Sequence, residues 1–95
     1  MSARHTISHS GLVSEQMKAV FARADTEGVN ATAVKAAKWM LEELERTPEE
    51  FGESREYLPH ADLYMRLAFV PPLFVKFGVH RPSRTVFISK IGWVG

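Results

Sequence analysis

The run Leu63-Tyr64-Met65-Arg66-Leu67-Ala68-Phe69-Val70-Pro71-Pro72-Leu73-Phe74-Val75-Lys76-Phe77-Gly78-Val79-His80 decides the fold. Its apolar residues recur every second position. Leu63, Met65, Leu67 and Phe69 alternate with Tyr64, Arg66 and Ala68, and Leu73, Val75, Phe77 and Val79 alternate with Phe74, Lys76 and Gly78. Side chains on a strand point to opposite faces in turn, so this period of two predicts two strands. Val70-Pro71-Pro72 between them must turn, because neither proline can donate to a sheet ladder. His80-Arg81-Pro82-Ser83-Arg84 turns the chain again, and Thr85 to Val94 supplies a third strand. Three consecutive strands joined by short turns predict an antiparallel meander.

Upstream of Asp62 the period is helical. Val13, Met17, Val20, Phe21 and Ala24 fall on one face of a first helix, for which Ser10 is a suitable N-cap. Asp25-Thr26-Glu27-Gly28 interrupts the pattern, with Gly28 able to take a left-handed cap position. Ala33, Val34, Ala37, Met40, Leu41 and Leu44 line a second helix, capped by Asn30 or Thr32. Thr47-Pro48-Glu49-Glu50 ends this helix and reads as a fresh capping box with proline at the first helical position, followed by a turn or short helix before Gly52. Residues 4–9 are expected to add a short edge strand. Two helices must cover one face of the meander, which makes the class α+β in a single domain over residues 1–95.

Ninety-five residues leave room for one modest core, and 45% apolar with 24% charged residues is the balance of a folded chain. The absence of cysteine excludes disulfides and thiolate zinc. His5 and His9 are four apart on a strand, about 13 Å, so no metal site is predicted, and no cofactor. The longest apolar run, Leu67 to Phe74, is far short of the ~20 residues that span a bilayer, and Met1-Ser2-Ala3-Arg4-His5 has no signal-peptide stretch. A cytoplasmic location with no membrane partner is expected. There is no Gly-x-Ser-x-Gly elbow, and the spacing predicts no histidine beside an activated serine.

The net charge of +1 conceals a division. Residues 1–62 hold seven Lys+Arg against all eleven Asp+Glu, a net of −4, whereas residues 63–95 hold Arg66, Lys76, Arg81, Arg84 and Lys90 with no acid, a net of +5. Such segregation sets up a local positive field and predicts a basic sheet surface for a polyanion or an acidic partner. The plainer alternative is a set of solvated strand cations. Trp93 is a candidate base-stacking group or partner anchor.

Leu63-Tyr64-Met65-Arg66-Leu67, and Arg81-Pro82-Ser83-Arg84-Thr85-Val86-Phe87-Ile88-Ser89-Lys90-Ile91-Gly92, resemble the strand arginine and closing hairpin of the RelE/ParE toxin superfamily of toxin–antitoxin modules. Ile7-Ser8-His9-Ser10 is similar to its first strand and helix cap. The resemblance implies a toxin that acts on RNA, the ribosome or gyrase and is held by an antitoxin protein. Cutting members need a base for a 2′-hydroxyl, an acid for the departing oxygen and cations at the phosphate. In those terms Glu56 is the candidate base, His60 and His80 further proton-transfer groups, and Arg66 a phosphate ligand. Lys76, Arg81, Arg84, Lys90 and Trp93 complete the nucleic-acid surface. The departures count against efficient cleavage. Pro71-Pro72-Leu73 stands where active relatives carry an arginine, and Gly92-Trp93-Val94-Gly95 where they carry a histidine or tyrosine. The loop 47–62 has no paired lysines. Two alternatives stand beside the toxin: a non-catalytic relative that binds a protein through the Phe69–Phe74 turn and Trp93, and a general nucleic-acid-binding domain.

Overall fold

The two alternating runs form neighbouring antiparallel strands, β3 (Leu63–Val70) and β4 (Leu73–His80), joined at a cis Pro71–Pro72 peptide. The computed structural model describes residues 4–94. Around this pair the chain arranges β1 (Thr6–His9), α1 (Gly11–Thr26), α2 (Asn30–Arg46), β2 (Glu53–Leu58) and β5 (Thr85–Trp93). The sheet order is β1-β5-β4-β3-β2, with β1 parallel to β5 and every other pair antiparallel. The α+β class and the helix pair on a C-terminal meander are as the sequence predicts. The meander has four strands rather than three, because β2 forms within the segment read as a loop. Among the described residues, no helix is long and apolar enough to cross a membrane.

The helices cover one face only. Leu73, Val75, Phe77 and Val79 of β4 are all at most 1% exposed. Their cross-strand partners Ala68 on β3 and Val86, Ile88 and Ile91 on β5 continue this layer. From above it is met by Val13 and Val20 of α1 and by Ala36, Ala37, Met40 and Leu44 of α2. On α2 the small Ala36 takes a core position, while Leu41 lies 39% exposed, a shift of the buried stripe from that expected. Small residues at Ala24, Ala33, Ala36 and Ala37 let the helices approach the sheet and each other. Neither helix start has a side-chain cap: Ser10 occupies the cap position of α1 without bonding, and Asn30 is the first helical residue of α2. Gly28 adopts φ +71°, as the break after α1 requires.

Of the two outcomes expected after Thr47, a turn or a short helix, the chain takes the turn, with the Glu50 N–H on the Thr47 carbonyl at 3.1 Å. Tertiary packing explains this. Phe51 inserts between Trp39, edge-on at 5.4 Å, and Phe77, stacked at 5.9 Å, which draws the chain inward after Pro48. In β5 the apolar spacing widens from two to three between Ile88 and Ile91, because Ser89 is an extra residue in the β4–β5 register. The bulge keeps both isoleucines in the core.

Candidate interaction face

Among the described residues, no helix covers the opposite face of the sheet. Its residues follow from the register: Glu53, Glu56 and Leu58 on β2; Leu63, Met65, Leu67 and Phe69 on β3; Phe74, Lys76, Gly78 and His80 on β4; Phe87, Lys90 and Gly92 on β5. Two glycines shape it. A Cβ at Gly78 would fall 2.7 Å from Met65 Sδ, and one at Gly92 would fall 2.6 Å from the Phe74 ring. Their absence lets Met65 and Phe74 lie flat on the sheet, so that Met65 is 6% exposed on a face without helices. Phe69 and Phe87 stand clear at 54% and 42% exposed, with the Phe69 and Phe74 rings 6.3 Å apart. A groove of about 440 Å³, lined by Ala61, Leu63, His80, Ser83 and Phe87, closes one end of the face.

The five cations of the tail do not share this surface, which corrects the expectation of a single basic side. Arg66 pairs across the sheet with Phe77, on the helix side, and its guanidinium donates to the Phe51 carbonyl at 2.9 Å and the Gly52 carbonyl at 2.8 Å. It holds the loop entering β2. Arg81, in the β4–β5 turn, donates to the Glu49 carboxylate and lies 3.9 Å over the Tyr64 ring. That carboxylate raises its pKa further above the ordinary arginine value. Arg84 sits in the same turn at φ +50°, its carbonyl accepting from the Thr6 N–H at 2.9 Å. Only Lys76 and Lys90 belong to the helix-free face, as direct cross-strand partners. The Lys90 ammonium lies 5.8 Å from the Phe74 ring centroid, and among the described residues no carboxylate is within ion-pair distance of either lysine. Like charges directly opposite on adjacent strands repel.

The proton-transfer candidates are also separated. Glu56 is opposite Met65 on the helix-free face, whereas Arg66 is on the helix side, so the two lie on opposite faces of the sheet. His80 is two strands across and two residues along from Glu56, roughly 12 Å between Cα atoms by strand geometry. His60 is exposed in the β2–β3 turn. A histidine does lie beside a serine, contrary to expectation: His80 Nδ1 is 2.6 Å from Ser83 Oγ. Ser83 Oγ is in turn 2.9 Å from Thr85 Oγ1, which reaches the Ser83 carbonyl at 3.2 Å. These bonds stay within residues 80–85 and close the turn. Trp93 is on the helix side as well, with Arg23 at 5.1 Å from its ring and a groove of about 290 Å³ between α1 and β5 beside it. Arg23 itself pairs with Glu27 at 2.8 Å. Trp93 therefore does not share a surface with Phe69 and Phe74.

The signal for this face in the sequence was the alternate set Leu63, Met65, Leu67, Phe69, joined by Phe74 and Phe87 at positions that leave the core. Comparison of the chain with protein-family models, curated proteins and solved structures finds no match.

Proposed function

We propose that this chain is a protein-interaction domain on a scaffold of RelE/ParE type, and that it docks a carboxylate-bearing protein surface on the helix-free face of its sheet. The observation that carries this reading is the Lys76–Lys90 pair, set without a carboxylate among Phe69, Phe74 and Phe87. A partner that supplies apolar contact and an acid would cover exposed aromatic surface and relieve the repulsion together. The order of a short strand, two helices and a meander supports the scaffold assignment, since that is the layout the resemblance implies.

The same aromatics and lysines could stack and hold single-stranded RNA, but the balance favours protein. Two lysines make at most two phosphate contacts, a salt slope of only about −1.4. Glu53 and Glu56 lie on the same face, and Leu58, Leu63 and Leu67 offer bulk rather than stacking planes. Cleavage by the family's route needs base and phosphate ligand together, and Glu56 and Arg66 lie on opposite faces. A benzophenone amino acid in place of Phe74, photolysed in the native cells, tests the reading. Cross-links to protein that are lost in a Lys76→Glu, Lys90→Glu background are expected, with Lys38 on the exposed side of α2 as control. Cross-links to RNA, or none beyond the control, overturn it.

A further inference from the structure

The geometry points to a second copy of this chain as the occupant of the face, in a face-to-face dimer whose two-fold axis runs along β3. This rests on the docking reading above and names its partner.

The cross-strand register sets Glu53, Leu67, Lys76 and Lys90 in one row, from β2 through β3 and β4 to β5. The row is acidic at one end, apolar at β3 and basic beyond it. Two copies stacked face to face are related by an axis lying in the plane between them. If that axis runs across the strands, β2 lies over β2 and β4 over β4, and acids meet acids while lysines meet lysines. If it runs along β3, left and right exchange, and Glu53 of each copy comes over Lys76 of the other. Charge therefore selects the second arrangement.

The residues on the axis agree with this choice. Leu63, Leu67 and Phe69, the accessible residues on the helix-free side of β3 beside the flattened Met65, are all apolar and would each meet themselves, as a self-complementary interface requires. Sheets packed face to face cross at about 30°, which displaces groups one strand (~4.8 Å) from the axis by only about 2.4 Å. Glutamate and lysine side chains span that offset. Glu53 is available: its side chain is 73% exposed and its contact with Arg55 is a loose 3.6 Å. An axis along β3 lays β2, β3 and β4 of each copy over β4, β3 and β2 of the other, and these strands of six, eight and eight residues, ~4.8 Å apart, present roughly 350 Å² per copy, about 700 Å² in all. That is below the ~1,000 Å² of a stable specific interface and leaves Phe87 and Lys90 of β5 outside it, so the dimer is expected to be weak and to depend on concentration.

Sedimentation velocity of the full chain over a wide concentration range is the test. Reversible dimerisation is expected. Glu53→Lys and Lys76→Glu should each weaken it by about tenfold or more, because each places like charges across the axis twice. The double reversal should restore it to within about threefold of the parent. Far-ultraviolet circular dichroism of each variant establishes that the monomer still folds. A chain that is monomeric throughout, or a dimer indifferent to the reversals, overturns the inference. The Phe74 cross-link separates this failure from failure of the docking reading. A charge-dependent cross-link to a different protein, with a monomeric chain, removes only the second copy; no cross-link and no dimer remove both.

Discussion

Arg66 and Lys76 sit on adjacent strands and carry the same charge, and the two faces of the sheet treat them differently. On the helix side Arg66 ends on two loop carbonyls and Arg81 on Glu49, each closing a gap between segments distant in sequence. On the other side Lys76 and Lys90 face each other. Phenylalanines divide in the same way: Phe77 is fully buried, whereas Phe69 and Phe87 stand about half exposed. The division of charge between the halves of the chain is thus partly internal. Arg81 is neutralised by an acid of the first half, and Arg66 is fixed by backbone dipoles. What remains for a partner is a pair of lysines on an aromatic field, a much smaller and more specific feature than a net of +5 suggests.

The widest separation between the faces should come from their phenylalanines. Phe77→Ala removes a ring packed against Phe51 in the core and should cost about 3–5 kcal/mol. Phe87→Ala should cost the dilute monomer no more than about 1 kcal/mol. Urea unfolding at low protein concentration measures both. Equal losses would mean that the second face is buried within the monomer, and the contrast would be gone.

The cations should differ less, and in sign. Arg66→Ala breaks two charge-assisted hydrogen bonds and leaves the Phe51 and Gly52 carbonyls without their donor, a loss of about 2–3 kcal/mol. Lysine is a poor replacement, since one ammonium does not reproduce the planar fork that reaches both oxygens. Lys76→Ala relieves a repulsion and should leave stability unchanged or raise it by up to about 0.5 kcal/mol. Added salt should shrink that difference by screening the pair. A Lys76→Ala variant destabilised as much as Arg66→Ala would show that Lys76 has a partner within the chain.

How much of this could be read from residues alone follows from the range of the forces involved. Strands β3, β4 and β5 were legible because Leu73, Val75, Phe77 and Val79 all point into one core, and burial imprints its period on the sequence. Even the bulge was written there, as the three-residue step from Ile88 to Ile91. Strand β2 was not legible. Glu53-Ser54-Arg55-Glu56-Tyr57-Leu58 is exposed at every position, carries three charges and bulges at Arg55, the marks of a guarded sheet edge. Its pairing comes from β3 and from the grip of Arg66 on Phe51 and Gly52. The candidate face was legible only as a list of misfit aromatics. Which cations join them depends on contacts 15 and 32 residues apart in sequence, Arg66 to Phe51 and Arg81 to Glu49, which no local pattern encodes.

The smallest expected effect lies where the helix side of the sheet runs out from under its helices. Tyr57 and Tyr64 are cross-strand partners there, their rings 4.6 Å apart, and the Tyr57 hydroxyl donates to Asp62 Oδ1 at 2.8 Å. That hydrogen bond, with lesser help from burial and from the charge of Asp62, raises the Tyr57 pKa above the ordinary tyrosine value of 10.0. A pKa raised by folding means the neutral phenol is favoured in the native state. The associated stabilisation is therefore complete below the unfolded pKa and is lost as pH rises through the folded one. Absorbance at the phenolate band should show one tyrosine ionising later than a free phenol, and Asp62→Asn should bring it back toward the ordinary range. If Asp62→Asn leaves the titration unmoved, the carboxylate is not the acceptor. The helix side would then hold an unanswered polar group of its own, and the contrast between the two faces would narrow to the arginines.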